Sequence, residues 1–296
     1  MPASPITAFA LAADDGVRIT AYKAVPPGKP RAIVQIAHGM AEHINRYRRV
    51  INALTDAGYA VFANDHRGHG ASAAAHGLGE FGPDGFPALV ADMAALSRVA
   101  QAELPGSPLI LLGHSMGSFA AQLYLLAHHE QLAGLALSGT AAVDTMLEAM
   151  ASAGAPAGPG AMNAPFAPAR TDFDWLSRDE AEVDLYVDDP LCGFPLADAA
   201  MASIFQTAST ARTDPRLREV RGDLPVYVIS GEFDPVNGPG QAFATALIES
   251  YRNAGLSHID HRVYPGGRHE MFNETNRDEV TADLIGWLNS VAAHAA

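Results

Sequence analysis

The residues best placed by type and spacing to do chemistry lie in Gly113-His-Ser-Met-Gly117, a G-x-S-x-G pentapeptide. A serine hydroxyl is a poor nucleophile at neutral pH and needs a base, and the base needs an acid to orient it. Residues 109–112 before the pentapeptide are apolar and suit a short buried strand, while residues 119–126 after it carry apolar side chains at helical spacing. Strand, tight glycine turn and helix is the context of a nucleophile elbow, where the serine stands strained and exposed at a helix N-terminus. The positive end of that helix favours an anion beside the serine. With 27 glycines in 296 residues, the pentapeptide alone is a weak signal, and a glycine turn bearing a solvated serine is the plain alternative. The flanking elements make Ser115 a candidate nucleophile.

In open α/β sheets the working groups lie beyond the carboxyl ends of strands. Asp234 follows the apolar run 224–230, and His269 follows the strand-like run 258–264. One helix and one strand separate them, so both loops can open at the same sheet edge. The order Ser115, Asp234, His269 is the one that accompanies an elbow. Rivals are His38, His66, His69 and His114, all near strand ends, and Asp65, which precedes the serine and breaks that order. His114 adjoins the nucleophile and is expected to point elsewhere on the turn. His66-Arg-Gly-His69 lacks the H-E-x-x-H type of spacing, so side chains that tie down a loop are expected there, and no metal. Acyl transfer also needs donors for the developing oxyanion. The backbone N–H of Met116 and that of Met40, in the loop after run 32–37, are the expected pair.

These groups must be held by a regular scaffold. Residues 6–12 and 17–25 read as strands joined at Asp14-Asp15-Gly16, a hairpin signal. Further strands are expected at 32–37, 59–63, 132–137, 224–230 and 258–264, and helices at 47–57, 86–104, 240–254 and 276–293. Alternation of this kind predicts an α/β fold: a mostly parallel sheet with an N-terminal antiparallel hairpin and helices on both faces. From residue 140 to about 215 the pattern breaks. A short helix at 144–152 and another at 196–211 flank a Gly/Ala/Pro tract at 153–169 and an acidic, aromatic-bearing stretch at 171–187. This predicts a cap (lid) insertion at 140–215 between two core segments, 1–139 and 216–296. Trp175, Leu176, Tyr186, Leu191 and Phe194 are too apolar for a solvated loop, and with Cys192 they are the expected acyl-binding side chains.

Nineteen basic against thirty-three acidic residues give a net charge of −14, which argues against nucleic acid or an anionic membrane as main partner. A single cysteine excludes an internal disulfide and fits a reducing compartment. Neither a basic n-region at the N-terminus nor a long charge-free apolar run is present, so a cytoplasmic protein is expected, with transient lipid contact at most.

His38-Gly-Met-Ala-Glu-His43 with Arg46-Tyr47, Asp65-His-Arg-Gly-His-Gly70, Gly113-His-Ser-Met-Gly117, Gly231-Glu-Phe-Asp234 and Gly267-Arg-His269 resemble the α/β-hydrolase superfamily. Within it they look like the monoacylglycerol lipase and lysophospholipase-like branch, and Asp189-Pro-Leu-Cys192 looks like that branch's cap-adjacent segment. The resemblance runs from about residue 33 to 289. It implies ester hydrolysis through an acyl-serine intermediate, with Ser115 attacking, His269 carrying the proton and Asp234 holding the imidazole, and no cofactor. Aminopeptidase, carbon–carbon bond hydrolase and perhydrolase chemistry share such a triad, and some proteins of this fold only bind ligands. A serine at the elbow argues against epoxide hydrolase and dehalogenase chemistry, which use an aspartate there.

Overall fold

A computed structural model describes residues 4–153 and 162–295. Its eight strands are β1 (Thr7–Ala12), β2 (Arg18–Ala24), β3 (Ile33–Ala37), β4 (Ala60–Asn64), β5 (Leu109–His114), β6 (Leu132–Ser138), β7 (Val226–Gly231) and β8 (Ile259–Tyr264). The helices are α1 (Arg48–Asp56), α2 (Gly85–Glu103), α3 (Met116–His128), α4 (Val143–Ala153), α5 (Glu180–Asp188), α6 (Asp198–Ala208), α7 (Ala242–Ala254) and α8 (Arg277–Ala295). The sheet order is β1-β2-β4-β3-β5-β6-β7-β8. β1 and β2 pair antiparallel, as the hairpin signal predicts, and β3 to β8 run parallel.

The central strands read as continuous apolar runs because both of their faces are covered; every residue of β3, β4, β5 and β7 is buried. On one face, Phe86, Leu89 and Met93 of α2, Tyr124 and Leu125 of α3 and Leu247 of α7 form the larger core. On the other, Ile51 and Leu54 of α1 meet Leu284 and Leu288 of α8. Each such aliphatic side chain, fully buried, contributes roughly 1.5–3 kcal/mol. From β3 the chain steps outward to β4 and then crosses to β5 on β3's other side. The loops after β3 and β5 therefore diverge at a topological switch point, the place where an open α/β sheet leaves a crevice.

Between β6 and β7 the described residues hold helices and no strand. α6 packs Ala200, Ile204 and Ala208 into the larger core, whereas Leu176, Tyr186 and Cys192 form a small separate cluster. Residues 154–161 of the expected Gly/Ala/Pro tract lie outside the described residues. α7 starts two residues later than the sequence pattern suggests because Pro239–Gln241 closes a 3-10 turn in which Gly240 and Gln241 take positive φ.

Candidate active site

Ser115 follows β5 directly and opens α3, at φ 52°, ψ −123°. That left-handed φ is costly for a non-glycine residue and persists only where the surroundings impose it. The constraint is close packing. A Cβ on Gly117 would sit 2.2 Å from the Ala37 carbonyl oxygen, and one on Gly113 would sit 2.6 Å from that of Gly117. The Ser115 N–H donates to the Ser138 carbonyl at 2.9 Å, anchoring the turn to the end of β6.

Asp234 leaves β7 and accepts from the Val236 N–H at 2.8 Å. His269, in the loop after β8, is buried and sets Nδ1 3.0 Å from both Asp234 carboxylate oxygens. Burial pulls the imidazole pKa down, but the Asp234 charge and hydrogen bond outweigh it, and the net shift is upward. Gly139, at φ 57° just past β6, makes room: a Cβ there would lie 2.7 Å from His269 Cε1 and 3.2 Å from His114 Cε1. Its neighbour Ser138 is the residue that holds the Ser115 turn, so serine and imidazole flank one sheet end. No hydrogen bond joins Ser115 Oγ to His269 in this structure; such links tighten when substrate binds.

His114 does not point away, as its place on the turn suggested. Its ring lies 4.7 Å from that of His269, in the space left by Gly139. Burial and the neighbouring His269 push its pKa down to about 4, so it stays neutral and does not repel a charged His269.

The candidate oxyanion donors lie in the loop after β3 and at the start of α3. The N–H groups of Met40 and of Met116, the latter in the first turn of α3, donate to no acceptor among the described residues. Their neighbours are occupied. The Gly39 N–H donates to Glu42 Oε1, and the Ala41 N–H, in a second left-handed non-glycine residue at φ 52°, donates to His69 Nε2 at 3.1 Å. For His69 to accept there it must be neutral with its proton on Nδ1, which faces the Arg67 carbonyl at 3.0 Å; burial pushes its pKa down to about 3. His38 repeats the device, bonding the Gly39 carbonyl through Nδ1 at 2.8 Å and accepting the His66 N–H at Nε2. Burial holds it at about 4. Asp65, the rival acid, accepts from the Ile44 N–H, the Ala71 N–H and the Tyr22 hydroxyl. These rivals brace the loop.

A buried ion network escaped the sequence reading. Arg46 donates to Glu42 Oε2 at 3.0 Å and to Glu270 Oε2 at 2.7 Å, and Glu42 also accepts the Tyr47 hydroxyl at 2.7 Å. Burial raises the Glu270 pKa, but Arg46 more than offsets it and the carboxyl is held at about 2. The network ties the loop after β3 to the residue following His269. Glu42 and Arg46 stood in a quoted motif and Glu270 beside His269, so proximity was the missing signal.

Side chains between residues 175 and 194 pack against this centre. The Trp175 ring lies 4.8 Å from that of His269, and the Glu270 N–H donates to the Leu176 carbonyl at 2.7 Å. Leu176, Tyr186 and Cys192 are buried together, and the Tyr186 hydroxyl reaches the Ala41 carbonyl at 3.0 Å. Phe194 presents an edge to His69 at 5.2 Å. Leu191 corrects the expectation for it: it is 37% exposed and outside the cluster, because a tight turn, with its N–H on Asp189 Oδ1, directs the side chain outward.

A serine on a strained strand-to-helix turn at the switch point of a mostly parallel sheet, with a buried His–Asp pair at the same sheet end, places the molecule among the hydrolases of the α/β-hydrolase fold. The sequence matches the family described as serine aminopeptidase, S33, over residues 28–276, and the chain belongs to that family. A monoacylglycerol lipase of Mycolicibacterium smegmatis is 31% identical over 287 residues, spanning 93% of this chain and 94% of that protein. The monoglyceride lipase of Mus musculus is 29% identical, over 91% and 84% of the two chains. Among solved structures, a thermostable carboxyl esterase from Bacillus coagulans in complex with glycerol superposes with a TM-score of 0.85 at 29% identity, covering 97% of this chain and 99% of that one. The chain falls in the monoglyceride lipase-like branch of the fold.

Proposed function

We propose that this serine ester hydrolase cleaves monoacylglycerols or similar monoesters, lysophospholipid-like ones included, through an acyl-serine intermediate. The observation that carries the catalytic assignment is the buried His269–Asp234 pair, 3.0 Å apart, beside the strained Ser115. Ser115 Oγ attacks the ester carbonyl while His269 Nε2 takes its proton. The Met40 and Met116 N–H groups receive the developing oxyanion, which moves charge toward the positive end of α3. His269 then protonates the departing alcohol, and water, deprotonated by the same imidazole, releases the acid. Asp234 keeps the Nδ1–H tautomer throughout. The cycle uses only side chains, backbone and water.

The substrate class rests on the relatives named above and on the insertion, 140–215, read as a cap. Trp175, Leu176, Tyr186, Cys192 and Phe194 put apolar surface beside His269 and the Met40 loop. We also propose a cytoplasmic location, which the acidic charge balance and the lone thiol support, with transient lipid contact.

A panel of glycerol monoesters of graded acyl length, with an aminoacyl amide included, tests this reading. Burial of each added CH2 is worth about 0.8 kcal/mol in the ideal limit, so kcat/KM should rise a few-fold per carbon until the pocket is full. Equal rates on acetyl and octanoyl esters would overturn the acyl reading. Faster turnover of the amide would favour the peptidase chemistry in the family's description.

A further inference from the structure

We propose that His43, Asp189 and Cys192 form a binding site for a soft divalent cation such as Zn2+, and that its occupancy ties the insertion to the loop after β3. One ligand atom from each, a ring nitrogen, a carboxylate oxygen and a thiol sulfur, lie within 4.8 Å of one another. His43 Nε2 already stands 2.9 Å from Asp189 Oδ2. Tetrahedral zinc with bonds of about 2.0–2.3 Å needs ligand atoms roughly 3.4 Å apart, so side-chain rotations of about an ångström complete the set.

The donor chemistry is that of a zinc or similarly soft ion: nitrogen, sulfur and one carboxylate, with a fourth position left for water. His43 and Cys192 are buried, while the Asp189 side chain is 31% exposed and gives the ion a way in. The carboxylates of Glu42, Asp189 and Glu270 and the guanidinium of Arg46 are the charged groups around the thiol, so acidic groups outnumber basic ones there. On binding, the Cys192 thiol releases its proton to solvent. For His43 Nε2 to take the metal, the imidazole must be the neutral tautomer with its proton on Nδ1, so any proton on Nε2 passes to solvent and solvent supplies the one on Nδ1 where that nitrogen is bare.

The ligands come from both sides of one seam. His43 ends the segment that carries Met40, whereas Asp189 and Cys192 belong to the insertion, whose Gly193 N–H donates to the Ala41 carbonyl at 2.9 Å. A bound ion strengthens that clasp beside a candidate oxyanion donor and slows any movement of the insertion that turnover requires.

The test titrates the metal-stripped full chain with Zn2+ by calorimetry and with Co2+ by absorption, alongside Cys192→Ser and His43→Gln. The wild type should bind one equivalent and show a thiolate-to-cobalt charge-transfer band. Each substitution should weaken binding by about tenfold or more, since even outer partners of metal ligands are worth that much. Should Cys192→Ser fail to fold, Asp189→Asn, at a part-exposed side chain, takes its place. Affinity unchanged by these substitutions, or a cobalt spectrum without the thiolate band, would overturn the site. Zinc that binds without lowering kcat on p-nitrophenyl butyrate would overturn the tie; the binding measurements stand whether or not the proposed catalytic cycle is right.

Discussion

A buried imidazole loses its charge unless something compensates it, and at His269 the compensation is Asp234. The upward shift has a consequence for rate. A general base must be neutral, so kcat/KM should rise with pH through a value above the ordinary histidine pKa of about 6.5 and fall away below it. Replacing Asp234 by Asn removes the main raising influence and leaves burial, so the acid limb should move down in pH while kcat falls by about four orders of magnitude. A pH–rate profile of the wild type with its acid limb under the ordinary histidine range would refute the ion pair as the dominant influence. Ser115→Ala should lose about 10⁴-fold or more of ester turnover and all labelling by a fluorophosphonate, with unfolding behaviour unchanged. Turnover at half the wild-type rate would dismiss Ser115 as nucleophile.

Between elements, the site depends on two loops that leave different strands being held in register. The Glu42–Arg46–Glu270 network does this, and each of its three side chains is 9% exposed or less. Arg46→Met leaves two buried carboxylates without their counter-charge, a loss of about 3–5 kcal/mol. At roughly 2–4 °C per kcal/mol, the melting temperature should drop by about ten degrees. Calorimetry checks this, and a fall of only a degree or two would show the network to be dispensable. The same network predicts acid sensitivity with a definite sign. The Glu270 carboxyl is at about 2 folded against a usual 4.5, so its contribution is present above the unfolded value and lost as pH falls from about 4.5 toward 2. Urea unfolding across that range should show stability declining in the wild type and declining less in Glu270→Gln.

Over the whole molecule, the segment carrying Trp175, Ser177 and Arg178 is fastened to the loop that bears His269. Ser177 Oγ donates to the Asn273 carbonyl at 2.9 Å, Arg178 pairs with the fully buried Glu274 at 2.9 Å, and Trp175 covers the imidazole. Trp175→Ala should therefore uncover the proposed acyl-binding face without releasing the tethers. The expected result is a kcat/KM advantage of octanoyl over acetyl esters reduced by a few-fold, in line with about 0.8 kcal/mol per CH2 no longer buried. Unchanged discrimination in a folded variant would show that this part of the insertion does not read the acyl chain.

The elements were legible in the sequence because each announces itself locally. β3, β5 and β7 are short apolar runs, the β1–β2 turn carries Asp14-Asp15-Gly16, and the elbow is a strand, a glycine turn and a helix in unbroken succession. Chain order was enough to rank Asp234 and His269 over Asp65 and His38 as the pair, and the structure brings Asp234 and His269 together. Only the folded chain decided the rest. The carbonyl that braces Ser115 is 23 residues away, and Arg46 meets Glu270 across a sequence separation of 224. His114 lies against His269 because Gly139, just past the end of another strand, has no side chain, and Leu191 turns out to solvent because of a local turn that hydropathy does not record. Local patterning sets which segments become strands and helices; which polar side chains then meet depends on the strand order, because the switch at β3 gathers loops from distant parts of the chain at one sheet end.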